Sequence, residues 1–244
     1  CIIYQIRIIA RMNKIFQIRE DFTYAMIHDM KTPLSSIFTA LYFLHSGRLD
    51  NKPETKEKYY TIAENEVDHL LTLTNRVLTL SKLESHKLEM NREDVQLEPI
   101  VENLTVKFTA KAQKPVRFTA DLKAPMVYAD KEYLEEVLSN LIDNAIKYSK
   151  PEGVDIRIRS ELNEKYTVVK VHDNGLGISE ADQRTIFNKY ERAAAGRKKN
   201  KNRPSGFGLG LNFVQQVMHA HEGKVFVTSI EGEFTEFALF FPKE

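Results

Sequence analysis

Met26-Ile27-His28-Asp29-Met30-Lys31-Thr32-Pro33-Leu34 sets a histidine, a carboxylate and a proline inside a stretch of helical spacing. From about Ile2 to Leu44 apolar residues recur at intervals of three and four, as at Ile15, Ile18, Phe22 and Ala25 and again at Ile37, Leu41 and Leu44. That spacing predicts one long amphipathic helix with His28 within it. His45 to Glu54, with Gly47, Asn51 and Pro53, predicts a turn, and Leu70, Leu73, Val77 and Leu80 predict a second helix running back along the first. A two-helix hairpin has too little core to stand alone; two copies paired into a four-helix bundle bury both apolar stripes, so a homodimer is expected.

After Leu83 the pattern loosens through Ser85 to Pro99, and the period changes. Val154, Ile156 and Ile158 alternate with Asp155, Arg157 and Arg159, and Val169–Val171, Val225–Val227 and Phe237-Leu239-Phe241 share that period of two, which predicts half-buried antiparallel strands. Helical stretches are expected at Lys131 to Ser149, Glu180 to Tyr190 and Leu209 to His221. The fold class is therefore α plus α/β, a long helical hairpin followed by an α/β sandwich with helices over one sheet face.

The chain has 244 residues, 42% hydrophobic and 28% charged, with a net charge of +1, so two modest globular domains are expected and no global charge argues for a nucleic acid partner. Cys1 is the sole cysteine, which excludes an internal disulfide and a cysteine-based zinc site. The apolar run Cys1 to Ile9 contains Gln5 and Arg7 and is far shorter than the roughly 18 residues of a membrane span. A start at Cys rather than Met reads as a fragment.

Several motifs carry chemistry. A neutral imidazole is a competent phosphoryl acceptor, and Asp29, reaching around to the ring's other nitrogen, can hold its tautomer and take up its proton. Thr32, one turn beyond His28, can orient a water on the same face, and Pro33 is expected to kink the helix. In Asn140-Leu141-Ile142-Asp143-Asn144-Ala145-Ile146-Lys147-Tyr148-Ser149, Asn140 and Asn144 share a helix face where amide oxygens can meet magnesium, with Asn144 the preferred ligand. Lys147 can meet phosphate oxygens and Tyr148 can offer its ring to a nucleotide. In Asp173-Asn174-Gly175-Leu176-Gly177-Ile178 the carboxylate can accept from an adenine amino group while Gly175 and Gly177 permit close backbone approach. Gly206-Phe207-Gly208-Leu209-Gly210-Leu211 opens a helix whose backbone amides, freed by Gly206, Gly208 and Gly210, can face phosphates.

The His-Asp-x-x-Thr-Pro pattern resembles the phosphoacceptor box of bacterial sensor histidine kinases, and Asn140 through Leu211 resembles their ATP-binding boxes in the same order. Asp29 departs from the Glu usual at that position and has a shorter reach. Phe187-Asn188-Lys189-Tyr190-Glu191-Arg192 resembles the family's phenylalanine box without its proline and second phenylalanine, so Phe187 and Tyr190 read as core or lid anchors. Arg197, Lys198, Lys199, Lys201 and Arg203, five cations in seven positions, fall where the family has its ATP lid.

The resemblance implies a signalling helix segment at residues 1–14, a dimerisation and phosphotransfer hairpin at 15–86, a linker at 87–97 and a catalytic ATP-binding domain at 98–244. It further implies magnesium-dependent transfer of the ATP γ-phosphoryl to His28, relay to an aspartate of a response regulator receiver, and the reverse hydrolysis through Thr32. By the same resemblance the chain is the cytoplasmic portion of an inner-membrane protein with a transmembrane sensor upstream. Two rivals stay open at this point. The ATP boxes also resemble those of type II topoisomerases, Hsp90 chaperones and mismatch-repair ATPases, which lack the helical histidine; and a dimeric nucleotide-sensing scaffold would keep the architecture without phosphotransfer.

Overall fold

The computed structural model describes residues 2–49, 51–84, 90–188 and 210–244, and only part of the side chains in the first two helices. Two compact units divide the chain at Ser81 and Lys82.

The first unit is the hairpin. Helix α1 (Ile2–His45) runs its 44 residues with Pro33 inside it, and helix α2 (Pro53–Glu84) follows for 32. The turn closes through Ser46 N–H to the Tyr42 carbonyl at 3.1 Å and Lys52 N–H to that of Leu49 at 2.9 Å, with Gly47 at φ 69°, a conformation glycine adopts without penalty. Pro53 opens α2 where its missing N–H costs no hydrogen bond. Ala40, Leu49 and Leu73 are buried, and the Phe43 ring lies 5.2 Å from that of Tyr59 across the two helices.

The second unit is the α/β sandwich. In chain order it contains β1 (Arg92–Gln96), α3 (Leu97–Lys111), β2 (Val116–Leu122), β3 (Met126–Asp130), α4 (Lys131–Lys147), β4 (Val154–Leu162), β5 (Tyr166–Asp173), α5 (Glu180–Gln183), α6 (Gly210–Ala220), β6 (Lys224–Ile230) and β7 (Phe234–Pro242). Five strands form one sheet in the order β2-β4-β5-β7-β6, and β1 pairs with β3 in a separate ribbon. The register places Ile156, Ile158, Val169, Val171, Phe237 and Leu239 on one face, all buried. Against that face pack Leu134, Leu138, Leu141 and Ile142 of α4 and Phe213, Val214, Val217 and Met218 of α6, all fully buried or nearly so.

The four strands expected, β4, β5, β7 and β6, pair antiparallel, and a further strand, β2, joins β4 in parallel. Three expectations change. Arg92–Gln96, assigned above to the linker 87–97, is a strand that pairs residue for residue with β3, and α3 begins at Leu97. The helix expected over Glu180 to Tyr190 is a single turn, α5. Ser179 caps it by accepting from Asp182 N–H, and beyond it Thr185 N–H and Asn188 N–H reach the carbonyls three residues back, those of Asp182 and Thr185, a 3₁₀-type pairing. Val168 is buried although it lies on the opposite sheet face, so β5 is not simply half-buried.

Two ties set α4 and α6 side by side in opposite directions. At one end His221 Nε2 accepts from Asp130 N–H at 2.9 Å while Nδ1 lies 2.8 Å from the Val217 carbonyl, so Nδ1 carries the proton and the ring is neutral. Burial holds the His221 pKa below the usual histidine value. The Asp130 carboxylate caps α4 through Glu132 N–H and Tyr133 N–H and accepts from Asn91 N–H, and Arg92 donates to the Ala220 carbonyl and the Glu222 carboxylate. At the other end Gly210 meets Asn140 and Asn144, and this is where the candidate site forms.

Candidate nucleotide site

Asn140 is buried at the centre of α4; its amide donates to the Glu136 carbonyl at 2.8 Å, one turn back. Its Oδ1 lies 3.1 Å from where a Cβ on Gly210 would sit, and Asn144 Nδ2 lies 4.0 Å from the same point. A side chain at 210 would press on the Asn140 amide and touch that of Asn144, so glycine lets the start of α6 approach α4 closely. Leu211 and the buried Asn212 follow in the first turn of α6, and Asn212 Nδ2 donates to the Phe187 carbonyl at 3.0 Å. The unpaired N–H groups of that turn and the helix dipole favour an anion there.

Asp173 closes β5 opposite Thr235 of β7, and both are buried. Its Oδ1 accepts from Gly175 N–H at 2.9 Å. Burial raises the Asp173 carboxyl to about 6, against which the Gly175 hydrogen bond pulls down. Leu176 N–H donates to the Tyr148 carbonyl at 3.0 Å, and a Cβ on Gly175 would come within 2.8 Å of that carbonyl and 2.7 Å of Asp173 Oδ1. Gly177 has φ +64°, and a Cβ there would collide with the Ile230 carbonyl. Both glycines are therefore required by close backbone approach, Gly175 where the Asp173 loop meets the end of α4 and Gly177 where it meets the end of β6.

The structure thus brings Asn140, Asn144, Tyr148, Asp173, Gly175, Gly177, Gly210 and Leu211 into one unit around the facing ends of α4, β5 and α6, with Lys147 half-buried on the last turn of α4. Gly206, Gly208, Tyr190 and the basic run Arg197 to Arg203 lie outside the described residues. His28 and Asp29 belong to α1, but their side chains also lie outside the description; Thr32 is exposed and lines a groove of about 590 Å³ with Lys31, Ser35, Thr39, Tyr59 and Ile62. The sequence reading missed Gln183, Asn212, Ser229 and Thr235. Their signal was polarity at Ser229 and Thr235 where strand alternation calls for apolar residues.

Among the described residues no cluster of three or more His, Cys, Asp or Glu could cage a metal ion. An amide site next to a helix start that favours anions suits magnesium, which keeps several waters and takes most of its charge partners from phosphates. Asn140 spends its Nδ2 on the Glu136 carbonyl, which leaves its Oδ1, like the amide oxygen of Asn144, as a possible ligand.

Residues 18–86 match the family model of the His kinase A (phospho-acceptor) domain, and residues 129–244 match that of the histidine kinase-, DNA gyrase B- and HSP90-like ATPases. The chain belongs to the sensor histidine kinase family. It is 29% identical over 238 residues to sensor histidine kinase WalK of Bacillus subtilis (strain 168), which covers 96% of this chain and 38% of WalK. Sensor protein RprX of Bacteroides fragilis (strain YCH46) is 27% identical over 244 residues, 98% of this chain and 46% of RprX. Among solved structures, Acinetobacter baumannii histidine kinase AdeS superimposes with a TM-score of 0.65 at 27% identity, over 88% of this chain and 97% of that one. This histidine kinase chain therefore spans less than half the length of WalK and RprX. No described helix is long and apolar enough to cross a membrane.

An ionised acceptor binds an adenine amino group more strongly than a protonated one, so, with Asp173 as that acceptor, ATP and a proton are expected to compete for a carboxyl raised to about 6. Affinity is expected to be full above pH 7 and to fall about tenfold per pH unit below 6. Asp173→Asn should weaken ATP binding by roughly 1 to 3 kcal/mol at pH 7.5 and flatten the part of the pH dependence that is not the nucleotide's own. Calorimetric titrations of both proteins from pH 5 to 8 check this; equal ATP affinity in the two would remove Asp173 from the pocket.

Proposed function

We propose that this chain autophosphorylates on His28 from ATP and magnesium and passes the phosphoryl group to an aspartate of a response regulator receiver. The observation that carries the reading is the convergence of Asn144, Asp173 and Gly210 on one site, in a chain whose separate helical unit carries His28 in a phospho-acceptor domain. In the transfer the imidazole lone pair attacks the γ-phosphorus, the bond to the ADP oxygen breaks, and the ring proton passes to Asp29. Asp173 and the Gly175–Gly177 backbone would select the base, Lys147 and the start of α6 would hold the phosphates, and Tyr148 would border the nucleotide. Magnesium, held at Asn144 with Asn140 behind it, would neutralise phosphate charge during transfer.

A homodimer through the hairpin is part of this proposal. Ile27, Leu34, Phe38 and Leu41 on α1 and Tyr60, Val67, Leu71 and Leu78 on α2 recur at sevens, fours and threes and are 43 to 73% exposed. Such stripes on both helices suit a second hairpin packed as a four-helix bundle. The net charge of +1 gives no global electrostatic argument for a nucleic acid partner. We further propose that the chain is the cytoplasmic portion of an inner-membrane protein, with residues 1–14 carrying the signal from an upstream transmembrane sensor; its domains are then 15–86 for dimerisation and phosphotransfer and a catalytic domain beginning at Arg92 rather than at 98, since β1 is built into it.

Incubation of the chain with γ-labelled ATP and magnesium tests the reading: it should yield protein-bound label that is lost in acid and kept in base, as a phosphoramidate is. Phosphate release with no such adduct would favour an ATPase instead. Thr32 bears on the reverse reaction. Exposed in the groove one turn past His28, its hydroxyl can hold a water in line with a docked phosphoaspartate. Thr32→Ala should leave autophosphorylation nearly intact and slow dephosphorylation of the cognate receiver in the presence of ADP; an unchanged rate returns Thr32 to a helix-building role.

A further inference from the structure

The Asp173 loop is held from behind by groups to which no role has yet been given. Ser229 Oγ, near the end of β6, accepts from Ile178 N–H at 2.8 Å and donates to the Phe234 carbonyl at 2.6 Å. Gln183 Nε2, from α5, donates to the Ile178 carbonyl at 2.8 Å and to the Ser229 carbonyl at 2.9 Å. Gly232 N–H, in the β6–β7 turn, donates to the Leu176 carbonyl at 2.7 Å. The loop that follows Asp173 is thus fastened to the β6–β7 hairpin on both sides of Gly177, whose α-carbon passes so close to the Ile230 carbonyl that no side chain fits between.

The hydroxyl at 229 also fixes the direction of a proton. A serine hydroxyl has one proton and two acceptor lone pairs. With the proton on the Phe234 carbonyl and one lone pair on Ile178 N–H, the 3.2 Å contact to Thr235 Oγ1 can be made only with Thr235 donating. Thr235, the cross-strand neighbour of Asp173, is then left with lone pairs alone for anything else it meets. A carboxylate and a hydroxyl reduced to an acceptor stand side by side on the buried face, a pair that suits a ligand amino group and opposes a ligand carbonyl.

We infer that Ser229 and Gln183 are positioning residues for nucleotide selection: they hold the Asp173–Ile178 loop against the β6–β7 hairpin, and Ser229 sets Thr235 as an acceptor, so that the pocket prefers an adenine amino group to a guanine carbonyl. This rests on the reading of Asp173 as the adenine acceptor. Neither residue touches the reacting phosphates, so the loss of either acts on the base and leaves the transfer step alone. Asn212, which ties α6 to the Phe187 carbonyl, serves the phosphate end and is independent of this clamp.

The test compares the full chain with Ser229→Ala, Ser229→Thr, Gln183→Met and Asp173→Asn. It measures binding of non-hydrolysable ATP and GTP analogues with magnesium, together with KM and kcat for self-labelling. Leaving the part-buried Ile178 N–H unmet in Ser229→Ala, or losing both Gln183 Nε2 hydrogen bonds, should raise the dissociation constant and KM for ATP about tenfold. Both changes should also shrink the ATP-to-GTP preference with kcat nearly unchanged, and Ser229→Thr, which keeps the hydroxyl, should restore most of both. Thermal unfolding at matched pH confirms that the variants are folded, and Gln183→Met stands in should Ser229→Ala fail to fold. ATP affinity and base preference unchanged in both Ser229→Ala and Gln183→Met, while Asp173→Asn loses affinity, overturns the clamp and spares the adenine reading. Affinity unchanged in Asp173→Asn as well overturns both.

Discussion

His28→Gln is expected to lose all self-labelling from γ-labelled ATP while binding ATP as the parent chain does. A glutamine keeps bulk and hydrogen-bonding capacity on the helix, but its amide nitrogen has no free lone pair to attack phosphorus, so the acceptor is removed without a large change in shape. His28 lies in the hairpin unit, and the residues that converge on the nucleotide, Asn144, Asp173 and Gly210, lie in the other. A substitution in one unit that leaves the other folded is expected to spare the ligand of that other unit, and calorimetry of the variant should return the parent affinity. Label that persists on the glutamine variant, still lost in acid, would place the acceptor elsewhere. The six other histidines need no separate test in that case, because mapping the surviving labelled peptide identifies the residue directly. Loss of ATP binding along with label would instead mean that the substitution unfolds the protein.

The hairpin was legible because its signal is local: apolar residues at three and four through Ile37, Leu41 and Leu44, then Gly47 and Pro53 in the turn. Strands β4, β5, β6 and β7 were legible for the same reason, their inward residues alternating with polar ones. What stayed hidden was mostly non-local or sparse. Strand β1 has a single buried residue, Val95, so it shows no period, and it exists because β3 lies beside it. Helix α3 was obscured by Pro99, which reads as a boundary; it falls in the first turn after Leu97, where the helix has no hydrogen bond for a proline to remove. The parallel partnership of β2 with β4 is a property of the sheet that no pattern within β2 encodes.

In the site, motifs that need their own local backbone were readable. Gly177 and Gly210 are glycines for reasons of approach, and Asp173 ends a strand. Ser229, Gln183 and Asn212 act by reaching across to another element, and only the three-dimensional register reveals the reach. The α5 misreading has the same source: the sequence from Glu180 onward is compatible with a longer helix, but the Phe187 carbonyl is taken by Asn212, and Thr185 N–H and Asn188 N–H reach the carbonyls three residues back.

Asp29→Asn is expected to slow transfer to His28 by about 10²- to 10⁴-fold, the usual contribution of a positioned general base. The asparagine keeps the side chain's size and can still accept a hydrogen bond from the ring, but it cannot take the imidazole proton as phosphorus bonds to the other nitrogen. Adjacent residues on an α-helix point about 100° apart, so a carboxylate at 29 must bend back to meet the ring, and reach becomes limiting. Asp29→Glu, longer by one methylene, should therefore keep or raise the rate, whereas a purely structural role for Asp29 predicts that Asn, the closer match in shape, does better than Glu. The KM for ATP should not move in either variant, because residue 29 belongs to the hairpin unit and not to the nucleotide site. Single-turnover labelling at saturating ATP from pH 6 to 9 separates the cases. The asparagine variant should lie below the parent at every pH, and the glutamate variant should follow the parent's profile. A rate for Asp29→Asn equal to the parent's across that range would leave proton removal to solvent and reduce Asp29 to a helix residue beside the acceptor.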